Sequence, residues 1–150
     1  SRNINIPESS RTKRFVQYLS RAATGIIIDN IQNIICRQLK SRRQIEITLA
    51  LKKLLSEDSH INRRPSYYAQ LLHVSPVYLN EVVKNITGTT ASKYIQDEII
   101  LRAKRMLIYT TLSIKEIAFD LGFDDHTYFT RLFTQTAGLT PTTYRKKYLE

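Results

Sequence analysis

A pattern of residues returns in this chain after about fifty positions, and a chain that repeats itself is committed to building one unit twice. Ala69, Leu72 and Val74 recur 49 positions later as Ala118, Leu121 and Phe123. Tyr78, Leu79, Val82, Val83, Gly88 and Tyr94 recur 50 later as Tyr128, Phe129, Leu132, Phe133, Gly138 and Tyr144. The one-residue change falls in a turn. Each copy reads as a helix, a short turn, a second helix, a glycine and a fresh helix start, and no segment of the repeat alternates like a strand.

Helix punctuation supports the repeat independently. Ser113 with Glu116 is a capping box for a helix carrying Ile114, Ile117, Ala118 and Leu121, and Gly122 falls where a tight turn needs positive φ. Asp124 or Asp125 caps the next helix, whose inward face reads Tyr128, Phe129, Leu132 and Phe133. In the first copy Ser75-Pro76 supplies an N-cap and a proline at the first helical position, Leu79, Val82 and Val83 form the matching face, and His73 holds the place of Gly122. Gly88 and Gly138 are C-terminal stops. Thr90 caps a long helix over 91–109 with Ile95, Ile99, Ala103, Met106 and Leu107 inward, and Thr140-Pro141 opens a short final one.

Two helices joined by a three- or four-residue turn, the second amphipathic, form the helix-turn-helix unit that places its second helix in the DNA major groove. A helical bundle that binds no DNA has the same local pattern, and both readings stay open on pattern alone. Two units at the ends of one stiff helix of 19 residues would stand about 28 Å apart along its axis. That is close to the ~34 Å between successive major grooves on one face of B-DNA.

Composition narrows the alternatives. With 150 residues, 42% hydrophobic and 24% charged, the chain is neither disordered nor collagen-like. Its longest apolar runs, Gly25 to Ile28 among them, fall far short of the roughly 20 residues of a membrane span, and no signal-like segment opens it. The single cysteine, Cys36, excludes an internal disulfide and a cysteine-based zinc site, and among isoleucines it reads as a small buried thiol in a reducing, cytoplasmic compartment. Met106 is the only methionine, so the expectation is a piece of a longer protein. The net charge of +10 suits a polyanionic partner, but it is uneven: residues 1–64 hold 13 basic and 5 acidic side chains, residues 65–150 hold 10 and 8.

Residues 1–43 differ in character from the repeat. Ser1 to Ser10 reads as a flexible or extended lead-in, and Arg11 to Ala23 as a short amphipathic helix with Phe15, Val16 and Leu19. Ile27, Ile28, Ile31, Ile34, Ile35 and Leu39 then recur at helical spacing, giving a broad apolar face. That face is open to two readings: the helix packs on its own neighbour, or, since two antiparallel helices make one layer only, this hairpin-like segment pairs with a second copy through those isoleucines. Lys40 to Gln44 marks the boundary, and Ile45 to Leu55, with Ile47, Leu51 and Leu54, starts the domain over 44–150. Ser56 to Arg64 reads as a polar, solvated loop.

The strings Ile114-Lys-Glu-Ile-Ala-Phe-Asp-Leu-Gly-Phe123, Tyr128-Phe-Thr-Arg-Leu-Phe133, Gly138-Leu-Thr-Pro141 and Tyr144-Arg145 resemble the DNA-binding domain of AraC/XylS-type bacterial transcription regulators. So do Tyr68-Ala-Gln-Leu-Leu-His-Val-Ser-Pro-Val-Tyr-Leu79, Lys84 to Gly88, and Ala103-Lys-Arg-Met-Leu107. The match covers about Tyr67 to Tyr148, with a weaker extension back to Ile45. It implies an all-α fold of two helix-turn-helix lobes, about 44–90 and 110–150, joined by the linking helix 91–109. It also implies one recognition helix per lobe in adjacent major grooves of double-stranded DNA, recruitment of RNA polymerase, and preceding helices that end a sensory and dimerisation domain over 1–43.

Carried over by position, the resemblance assigns base contacts to His126, Thr127, Thr130 and Arg131 in the second lobe, and to Val77, Tyr78, Asn80 and Glu81 in the first. Arg131 suits guanine O6 and N7, Asn80 suits adenine, and Val77 a thymine methyl. Glu81 stands where many members have arginine; phosphates repel it and only a cytosine amino group rewards it. Ile99 also stands where the family often has arginine. Phosphate contacts fall to Lys84, Lys93, Lys115, Arg145, Lys146 and Lys147.

Other functions find less support. His60, His73 and His126 are scattered without metal-ligand spacing, no nucleophile triad, Walker or dinucleotide motif is present, and no cofactor or catalysis is implied. The competing readings are a nonspecific nucleic-acid binder, whose affinity would fall with salt but ignore sequence, and a helical protein-interaction module that never touches DNA.

Overall fold

The computed structural model describes residues 8–149 and builds them into seven helices. These are α1 (Glu8–Glu57), α2 (Pro65–Leu71), α3 (Pro76–Thr87), α4 (Ala91–Tyr109), α5 (Ile114–Asp120), α6 (His126–Ala137) and α7 (Pro141–Leu149). Among the described residues there is no strand, and no helix is long and apolar enough to cross a membrane.

The hairpin-like segment expected before the repeat is not formed: α1 is one uninterrupted helix of 50 residues. A turn needs residues that break a helix, and between Glu8 and Glu57 there is no proline and one glycine, Gly25. Lys40 to Gln44 changes the composition without breaking the backbone, because Lys, Arg and Gln are good helix formers. The lead-in expected over Ser1–Ser10 lies outside the described residues for positions 1–7, and Glu8, Ser9 and Ser10 already belong to α1.

The chain divides into two units, residues 1–42 and 43–150. In the first, every described side chain is exposed, including Phe15, Leu19 and all the isoleucines from Ile26 to Ile35. Cys36 is exposed as well, not buried as its neighbours suggested.

The second unit has one continuous core. Leu51 and Leu55 from α1, Tyr68 and Ala69 from α2, Leu79 and Val83 from α3, and Ile117, Phe129 and Phe133 from α5 and α6 gather on Ile95, Ile99, Ala103 and Leu107 of α4. Helix α4 therefore serves both copies of the repeat, with its apolar side chains at three- and four-residue spacing. The caps stand where the sequence placed them. Ser75 accepts from Tyr78 N–H, Thr90 from Lys93 N–H, and Ser113 with Glu116 forms the full capping box. Gly88 and Gly138 end α3 and α6 at φ of 80° and 75°, in the left-handed region that glycine enters without steric cost.

Candidate nucleic-acid interface

Each recognition helix candidate is fixed by burial on one side. In α3, Leu79, Val82 and Val83 are fully buried, so Val77, Asn80, Glu81 and Lys84 are left outward, with Val77 79% exposed and Tyr78 half-buried. In α6, Phe129 and Phe133 are fully buried, which turns His126, Thr127 and Arg131 to the surface and leaves Thr130 half-buried. Tyr128, expected inward, is 52% exposed: it tilts against Phe123 at 6.0 Å between ring centres while Phe129 takes the core position.

The cap of α6 is Asp125 rather than Asp124. Its carboxylate accepts the Thr127 N–H at 2.8 Å, and that bond holds its pKa below the ordinary value. Thr130 donates its hydroxyl to the His126 carbonyl at 2.9 Å. Next to Arg131 lies an open groove of about 590 Å³, bordered also by Lys93 and Gln96 of α4 and by Tyr128 and Gln135 of α6. Lys93 pairs with Asp97 at 2.8 Å. Gln96, half-buried, and Gln135, exposed, were not legible in the sequence, because polar residues outside the apolar stripe carry no periodic signal.

Two of the residues expected to contact DNA also bond within the scaffold. Asn80 Oδ1 accepts the Ala91 N–H at 3.0 Å and ties α3 to the first turn of α4. Arg145 donates Nε to the Leu107 carbonyl at 3.0 Å and Nη2 to the Leu112 carbonyl at 2.6 Å, which satisfies acceptors at the end of α4 and in the loop after it. Its side chain is half-buried. Lys84, Lys115, Lys146 and Lys147 are exposed, with Lys115 over the Phe119 ring and Lys147 over the Tyr148 ring.

Of the segment Ser56 to Arg64, read as a solvated loop, Ser56 and Glu57 belong to α1 and the remainder is partly core. Ile61 is 1% exposed, and Tyr68, fully buried, places its hydroxyl 2.9 Å from the Ile61 carbonyl and 3.2 Å from Asp58 Oδ2. Burial, and then the nearby Asp58 charge, push that phenol's pKa upward. Ile99, in the place of a family arginine, is core; the polar link is made three residues on by Arg102, whose guanidinium holds the Asp58, Leu55 and Ser56 carbonyls. The last turn of α1 has no basic side chain of its own, so Arg102 supplies the cation that the negative end of a helix favours.

The comparisons with known proteins agree with this geometry. A family model described as a helix-turn-helix domain matches residues 68–147. The chain belongs to the AraC-type helix-turn-helix family. It is 30% identical over 152 residues to the HTH-type transcriptional regulator YfiF of Bacillus subtilis, covering 95% of this chain and 46% of that protein. It resembles the C-terminal domain of AraT, a response regulator from Geobacillus stearothermophilus, at 29% identity and a TM-score of 0.62 over 67% of this chain and 84% of that one. It shares its fold with the DNA-binding domain of AdpA, solved in complex with a target DNA, at 23% identity and a TM-score of 0.58 over 70% and 91% of the two chains. The chain spans from a quarter to about half the length of the curated relatives it matches.

Proposed function

We propose that this chain is the DNA-reading part of a transcription regulator, which sets α3 and α6 into two successive major grooves of double-stranded DNA and reads sequence there. The observation that carries the reading is the pair of capped helices, each with one face buried and the other exposed, packed on a 19-residue α4. Its length of about 28 Å at 1.5 Å per residue suits grooves one turn apart. Family membership and the DNA-bound AdpA domain support the same reading.

In this proposal Val77, Tyr78 and Glu81 meet bases in one groove, and His126, Thr127, Thr130 and Arg131 meet them in the other. Lys84, Lys93, Lys115, Lys146 and Lys147 face phosphates, while Asn80 and Arg145 hold the frame. Recruitment of RNA polymerase rests on the family, and a cytoplasmic setting and the absence of catalysis go with it. The isoleucine face of α1 pairs with a second copy: a single helix with no core of its own is marginal in water, and Ile27, Ile28, Ile31, Ile34, Ile35 and Leu39 supply an apolar stripe for a partner helix.

Selection of bound duplexes from a random DNA pool at about 150 mM salt tests the reading, since nonspecific contacts are weakened there. The expected result is a motif with two blocks of preference centred about 10 base pairs apart. Binding that falls with salt and shows no motif would overturn it in favour of a nonspecific nucleic-acid binder.

A further inference from the structure

The segment between α1 and α2 is held from three sides. Lobe one holds it through Tyr68, whose hydroxyl meets the Ile61 carbonyl. The linking helix holds it through Arg102 on the Asp58 carbonyl. The second lobe holds it at the turn that precedes α6: the Asn62 N–H donates to the Leu121 carbonyl at 2.9 Å, and Asn62 Nδ2 to the Gly122 carbonyl at 3.3 Å. His60 comes against the same turn, so close that a Cβ on Gly122 would stand 3.1 Å from His60 Cβ and 3.3 Å from its backbone carbons.

Leu121 and Gly122 are the residues from which the chain redirects into the recognition helix α6. A strap bonded to that turn at one end and to lobe one at the other therefore ties the aim of α6 to the lobe that carries α3. Helix α4, on which both lobes pack, sets how far apart the two helices stand. The strap adds a second attachment off the α4 axis, and two attachments resist the rotation that one permits.

We propose that Asn62 is a positioning residue that sets the phase between the two recognition helices, so that the chain discriminates DNA sites by the spacing of their two blocks. This rests on the two-groove reading above. One inserted or deleted base pair moves the second block about 3.4 Å along the duplex and turns it by roughly a tenth of a turn. A braced pair of helices cannot follow that displacement, whereas a loosened pair can.

The test uses duplexes carrying the selected motif at its native spacing and one base pair shorter and longer, together with a duplex carrying the second block alone. Asn62→Ala removes the side-chain donor. Asn62→Pro also removes the N–H: the Arg63 N–H meets the Ile61 carbonyl at 2.8 Å around Asn62, whose φ is not positive, and this three-residue turn accepts proline. Wild type is expected to lose about tenfold in affinity at the wrong spacings, which is about 1.4 kcal/mol. Asn62→Ala should lower that ratio and Asn62→Pro should bring it below about threefold, both keeping single-block affinity and helical circular dichroism. An unchanged ratio in a folded Asn62→Pro overturns the proposal, as does single-block affinity lost in step with the two-block affinity. Failure of wild type to bind even the single block would sink the DNA-reading function itself, which is a separate result.

Discussion

His73, at φ 54°, occupies the turn position in the first copy of the repeat that Gly122, at φ 90°, fills in the second. Both close the turn in the same way, with the N–H of the next residue donating to a carbonyl five positions back: Val74 to Ala69 and Phe123 to Ala118. The first copy thus bears a left-handed residue with a side chain, and the second is relieved of it. His73→Gly is expected to stabilise the chain by about 0.5–1 kcal/mol, the left-handed penalty outweighing glycine's extra chain entropy. Gly122→Ala should act in the opposite direction and destabilise by a larger amount, about 2 kcal/mol, because it adds the left-handed strain to an approach on His60. Urea unfolding of both variants checks the contrast; changes of equal size and opposite sign would show the two turns to be conformationally equivalent.

Arg145 is expected to act on stability and not on phosphates. Removal of its two carbonyl bonds in Arg145→Ala should lower unfolding free energy by about 2 kcal/mol, the range for bonds to a charged group. The slope of log affinity against log salt should stay as in wild type, whereas loss of a phosphate contact would reduce it by about one. Measuring both on one variant separates the roles.

Acid should loosen the caps of the second lobe. The carboxyls of Asp125 and Glu116 are held below their ordinary values by the Thr127 N–H and by the Ser113 N–H, respectively. A depressed folded-state pKa means that the unfolded chain binds more protons, so the contribution is present above the ordinary carboxyl pKa and is lost as pH falls through the folded value. Thermal melts from pH 6 down should show this loss beginning near the ordinary values of 3.8 for Asp and 4.5 for Glu. Asp125→Asn, which keeps a capping oxygen, should flatten part of the dependence; an unaltered profile would show that other carboxyls govern it.

Arg131 and Glu81 should respond in opposite directions. Arg131→Ala is expected to lose about 1–3 kcal/mol of binding at one base pair and to relax preference there. Glu81→Gln removes a charge that phosphates repel, and should tighten binding to most sequences while weakening any preference for cytosine in its block. Competition assays against single-base variants of the selected motif read both effects.

The apolar stripe of α1 should control association. Ile31→Lys with Ile34→Lys places two charges on the face proposed to pair, and sedimentation of wild type at high micromolar concentration should show a dimer that the double variant lacks. A strictly monomeric wild type would remove pairing from the function.

The double helix-turn-helix was legible because its signals are local. Ser75-Pro76, Thr90, Ser113 with Glu116, Gly88 and Gly138 act within one turn of a helix, and the spacing of Leu79, Val82 and Val83 or of Phe129 and Phe133 states which side is buried whatever lies opposite. The repeat then multiplied each local signal by two. Outward residues such as Val77 and Arg131 followed by subtraction.

What the tertiary structure alone decided concerns pairs of groups distant in the chain. Arg102 and Arg145 look like surface cations until the carbonyls at the ends of α1 and α4 are brought to them, and the bond between Asn80 and the Ala91 N–H is visible only once α3 and α4 are packed. Asn62 and Gly122 are sixty residues apart, and no periodicity links a loop to a turn. The continuity of α1 failed to register for the opposite reason: a composition shift at Lys40 to Gln44 resembles a boundary, yet a helix ends only where its backbone is broken or capped. Side-chain pattern determines helices and their faces, because both are set within four residues. Which polar groups meet is settled only by folding, because a hydrogen bond depends on where two atoms stand in space and not on how far apart they lie in the chain.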